Sequence, residues 1–78
     1  PNPFTNTFNI EFELEAEGET SLIIYDALGR VVETVLMNDN LSLGQHQYQI
    51  SGEGFESGLY YATLQHSGGT QTVKLMKQ

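Results

Sequence analysis

The chain of 78 residues has no cysteine, no tryptophan, two prolines and only three cationic side chains, Arg30, Lys74 and Lys77. Without thiols there is no disulfide framework, no thiolate metal site and no cysteine nucleophile, so packing and hydrogen bonds alone must hold the fold. With so few cations and a formal charge of -7, nucleic acid is excluded as a general partner, because phosphate affinity comes from clustered Lys and Arg that release counterions. An anionic membrane surface repels such a chain for the same reason. No apolar run approaches the roughly 20 residues of a helical membrane span. The start, PNPFTNTF, has neither the basic nor the apolar region of an export signal. Its two prolines around an asparagine read as a linker-like segment, residues 1–6, joined to an upstream domain.

What is present is enough for one small domain. Hydrophobic residues make up 38%, with four Phe and four Tyr, so a core can form despite eight glycines and many polar residues. A chain this short buries only about 60% of its unfolded surface, which leaves room for a binding face and little for an enclosed active site.

The alternation of apolar and polar residues sets the class. In TFNIEFEL, Phe8, Ile10, Phe12 and Leu14 fall on one face and Thr7, Asn9, Glu11 and Glu13 on the other, the period of a half-buried strand. After the AEGET turn, TSLIIYD places Leu22 and Ile24 on one face and Ile23 and Tyr25 on the other, as in a strand covered on both sides. ALGR turns the chain at Gly29. RVVETVLM over 30–37 follows as a strand, its β-branched content outweighing the helix that its other residues allow. MNDNLSLGQ reads as a loop, HQYQI as a strand, SGEGFESG as a second loop. GLYYATLQ and TQTVKLMK then form a hairpin around HSGG, with Gly68 and Gly69 as its turn. Six or seven short strands with no sustained 3.6-residue period predict an all-β fold, a small antiparallel immunoglobulin-like β-sandwich. Its expected core comprises Phe8, Ile10, Phe12, Leu22, Ile24, Tyr60, Leu64 and Leu75.

Reactive chemistry is sparse. His46, His66, Asp26 and Asp39 are the catalytic candidates, but no serine sits in a G-x-S-x-G elbow and both histidines lie in or beside strand patterns, so no catalytic residue is assigned and no enzyme is expected. Glu11, Glu13, Glu15, Glu17 and Glu19 recur every second residue, which is the solvent face of a strand rather than a set of converging ligands. NDN at 38–40 lacks the D-x-D-x-D-G arrangement of a calcium loop. No metal and no cofactor are expected.

Charge is distributed unevenly. All ten acids precede Ser57, and the segment from Ser57 to Gln78 has two lysines and no acid. PNPF at the start, IYDALGRVV in the middle, the Ser57-Gly58-Leu59-Tyr60-Tyr61 step and the final Val73-Lys74-Leu75-Met76-Lys77 occur in an order and spacing that resembles the type IX secretion system C-terminal sorting domain of Bacteroidota, in its type A form. The resemblance covers the whole chain, 1–78. It implies a cargo that lies N-terminal in the same protein and reaches the periplasm by its own signal. That cargo is then addressed to the outer-membrane translocon and shuttle proteins, and is parted from this domain by a surface sortase at the cell surface or outside the cell.

The family places its decisive signal at the C-terminal end, which carries recognition onto Gly58, Tyr60, Lys74, Leu75 and Lys77, within a signal-bearing hairpin at 57–78. Met76 and Gln78 depart from the aliphatic or Lys residues often found there. The same positions have structural readings: Gly58 relaxes the start of a strand, Tyr60 is a core or corner aromatic, and the lysines protect an edge. Two other functions are compatible with a small sandwich. One is an accessory adhesion or carbohydrate-binding module with Tyr25, Tyr48, Tyr60 and Tyr61 as a flat platform. The other is a calcium-binding or hydrolytic domain, for which the converging groups are missing.

Overall fold

The computed structural model describes residues 6–78, so the PNPF start and most of the linker-like segment lie outside the described residues. Six strands follow one another: β1 (Thr7–Leu14), β2 (Gly18–Asp26), β3 (Val31–Leu41), β4 (Gly44–Ser51), β5 (Gly58–His66) and β6 (Gly69–Lys77). They form two antiparallel sheets, one of β1 and β4 and one ordered β3-β2-β5-β6. The alternation in the sequence therefore forms the two-sheet sandwich it predicts, with β3 and β6 as the edges of the larger sheet.

The period-2 faces meet between the sheets. Phe8, Ile24, Ile50, Tyr60, Ala62 and Leu75 make one buried cluster, and Leu22, Leu36 and Leu64 a second. Six of the eight expected core residues are buried; Ile10 and Phe12 are half-buried and pack against these clusters from one side. The reason is the unequal width of the sheets. Two strands cannot cover four, and an open flank of about 130 Å³ remains, lined by Ile10, Phe12, Leu22, Leu64 and Val73 among others. Phe12 is supported there by near-parallel rings, His46 at 5.5 Å and Tyr48 at 6.0 Å.

Three local expectations are corrected. The MNDN segment is strand, not loop, since β3 runs on to Leu41. Asn38 takes a φ of 52, which asparagine tolerates, and sits at an irregularity in the β2–β3 ladder where its backbone N–H donates to Ser21 Oγ at 3.0 Å. The five glutamates do not share one face, because only Glu11 and Glu13 belong to β1 while Glu15 and Glu17 lie in the turn and Glu19 is the second residue of β2 in the other sheet. The β5–β6 turn is Ser67-Gly68, closed by the His66–Gly69 pair, so Gly69 already belongs to β6.

One end of the sandwich gathers several of the parts that the sequence singles out. Thr7 pairs with Ser51, the 52–57 loop leads directly to Gly58, and Gly58 pairs with Lys77. The β2–β3 turn joins them, since Asp26 pairs with Tyr60.

Candidate functional site

The terminal hairpin brings the five candidate recognition residues to that end, but on different faces. Gly58 pairs with Lys77, Tyr60 with Leu75, and Tyr61 with Lys74. Side chains alternate along a strand, so Tyr60, Leu75 and Lys77 point toward the small sheet and Tyr61 and Lys74 away from it. Tyr60 and Leu75 are both buried in the core, Lys77 is half-buried and Lys74 is exposed.

Tyr60 is held at both ends. Its ring lies 4.8 Å from that of Phe55, and its hydroxyl donates a 2.6 Å hydrogen bond to the Glu56 carbonyl. The tyrosine thereby ties the 52–57 loop to the start of β5. Gly58 has a φ of 143, a backbone region that side chains with a Cβ rarely adopt, and this lets the loop reverse into the strand.

Beside this corner the Asp26 turn is equally ordered. The Asp26 carboxylate accepts from the backbone N–H groups of Leu28 and Arg30, both at 2.9 Å, and from Arg30 Nε at 2.8 Å. The Arg30 N–H above all, then its guanidinium and the Leu28 N–H, hold the Asp26 carboxyl below the usual carboxylate range against an opposing loss of hydration. Between this turn and the 52–57 loop runs an open groove of about 690 Å³, whose lining includes Leu28, Val31, Glu53, Phe55 and Glu56.

The catalytic candidates are dispersed. His46 Nε2 donates to the Ser42 carbonyl at 2.7 Å, and His66 Nδ1 accepts from the Gly68 N–H at 3.0 Å, so each histidine secures its own loop. Asp39 pairs with Thr20 across the β2–β3 ladder, in the sheet opposite His46 and two strands from β5, which ends at His66. The tyrosines do not make one platform either: Tyr60 is core, Tyr48 stacks on Phe12, and only Tyr25 and Tyr61 share a face, as direct cross-strand partners. Tyr61 is absent from the sequence-derived site because the motif resemblance draws attention to its neighbour; the strand alternation alone would have turned it outward.

No curated protein matches the chain, and no solved structure does. The family model described as the secretion system C-terminal sorting domain matches residues 1–78, the full length. With a whole-chain match on a six-stranded sandwich, the chain belongs to the type IX secretion C-terminal sorting domain family.

Proposed function

We propose that residues 1–78 are the address of a cargo protein that crosses the periplasm, is received by outer-membrane translocon and shuttle proteins, and is then cut from the domain by a surface sortase. The observation that carries this reading is the full-length family match. Gly58, Tyr60, Lys74, Leu75 and Lys77 divide the work. Gly58, Tyr60 and Leu75 hold the hairpin in shape through a reversed backbone, a hydroxyl tether and a core contact. Lys74 and Lys77 supply positive charge on β6, an edge strand of an otherwise acidic domain. Exposed edge backbone is also a template for strand addition by a receptor.

The test is export. A periplasmic reporter carrying residues 1–78 at its C-terminus, expressed in a host with this secretion system, is expected at the cell surface or in the medium. The same reporter without the domain is expected to stay in the periplasm, and equal export of the two would refute the reading. Deleting the host sortase should leave the domain attached to the exported reporter; release at an unchanged rate would remove the sortase step.

A further inference from the structure

The outer face of the four-stranded sheet is nearly devoid of charge in a domain of net charge -7. Cross-strand partners share a face, and the registers place Val31, Tyr25, Tyr61 and Lys74 in one row across all four strands. Ile23 of β2 and Met76 of β6 lie on the same face, one alternation away from Tyr25 and Lys74. Val31 and Met76 are 56% and 43% exposed, large values for apolar side chains on a sheet that already has its core on the other side.

Most of the acids lie off this surface. Asp26, Glu33 and Asp39 pair with Tyr60, Ile24 and Thr20, all on the inner side. Glu11 and Glu13 belong to the other sheet, Glu15 and Glu17 to a turn, and Glu53 and Glu56 to the loop across the groove that Val31 also lines. Glu19, at the far end of β2, is the acid that remains, and Lys74 is the cation. An approaching acidic surface is repelled by the other sides of the domain and least by this one, where Lys74 stands.

From this distribution we infer that the Val31-Tyr25-Tyr61-Lys74 face is a docking surface for a protein of the export machinery, one that presents apolar side chains with a carboxylate over Lys74. The inference rests on the sorting reading and extends its site beyond the terminal hairpin to β2 and β3. The size of the face fits a contact that is made and released. Four strands at ~4.8 Å spacing and some five residues of length give roughly 300 Å², well below the ~800 Å² per partner of a stable complex. That area also argues against a second copy of this chain as the occupant.

Thr34 and Tyr25 test this without touching the tail. Thr34 is exposed on β3 and pairs with Ile23, so Thr34→Glu sets a carboxylate on the face beside Ile23. Tyr25→Thr removes an aromatic ring and puts a β-branched residue that also favours strand in its place in β2. Both are measured as reporter fusions to residues 1–78, with Asn9→Glu on the opposite sheet as the control of equal charge. Thr34→Glu and Tyr25→Thr are expected to lower surface display about tenfold, the ratio that loss of one well-placed contact produces, with Asn9→Glu unchanged. Circular dichroism melts of the purified variants check folding, and the exposed Thr34→Glu keeps the question open to refutation if Tyr25→Thr unfolds. Wild-type display by folded Thr34→Glu would overturn the inference. So would a glycan array or a concentration-dependent dimer that responds to the same substitutions, since either names a different occupant. Failure of the unaltered domain to export the reporter would instead strike the sorting reading itself.

Discussion

Gly58 and Tyr60 fix the corner from which β5 starts, one by its backbone and the other by its hydroxyl. No atom lies within 4 Å of where a Cβ on Gly58 would stand, so its requirement is conformational and not steric. Gly58→Ala should therefore cost about 1 to 2 kcal/mol through a φ of 143 alone. Tyr60→Phe keeps the ring against Phe55 and removes only the 2.6 Å bond to Glu56. Net loss of one such bond is about 0.5 to 1.5 kcal/mol, a fall of several degrees in thermal midpoint for a domain of this size. Melting curves read both, and a Tyr60→Phe midpoint equal to wild type would mean that the hydroxyl does not hold the corner. The sequence motif that includes these two residues makes no distinction between holding a shape and touching a receptor; their burial and backbone geometry do.

At the scale of the element, β6 separates its two lysines. They are three positions apart, and Lys74 shares the outer face with Tyr61 while Lys77 shares the inner side with Leu75. A single receptor surface engages one of them strongly. Lys74→Gln is expected to impair display more than Lys77→Gln, with each shifting stability by less than about 1 kcal/mol, the scale of exposed charges. Equal display by the two variants would take recognition away from Lys74, and a large drop in its midpoint would make it part of the scaffold.

Strands such as β1, β2 and β5 were legible because alternation is a local property, written in TFNIEFEL and in GLYYATLQ themselves. The second half of β3 was not. Asn38, Asp39 and Asn40 have turn-like propensities, and what keeps them in a strand is Ser21, 17 residues away, whose hydroxyl meets Asn38 in both directions. Phe12 was overestimated for a related reason: its pattern puts it inside, while the width of the opposing sheet decides how far inside it can go. The outer face is not legible locally because its row is assembled from two strand pairs, β2–β3 and β5–β6, that lie far apart in the chain.

For the whole molecule, removing the tail is more than removing a tag. A chain that stops at His66 lacks one of the four strands of the large sheet and loses Leu75 from the core. Its export should fail, and its melt should lose cooperativity too, so truncation alone does not separate address from fold. The substitutions at Lys74, Thr34 and Tyr25 do, since they leave the ladder complete.

The two outermost strand ends, Thr7 of β1 and Lys77 of β6, emerge at the same end of the sandwich but from different sheets. A pull applied between them does not load either ladder along its length. It opens each from its tip, Thr7 leaving Ser51 and Lys77 leaving Gly58, so that hydrogen bonds break in succession and not all at once. The domain is thus built like a zip with both sliders at one end, steady at rest and compliant under tension. Force spectroscopy with handles at these two positions should find unfolding at markedly lower force than with handles at Thr7 and Gly44, at opposite ends of the paired strands β1 and β4, which load that ladder in shear; a similar force for both geometries would count against it.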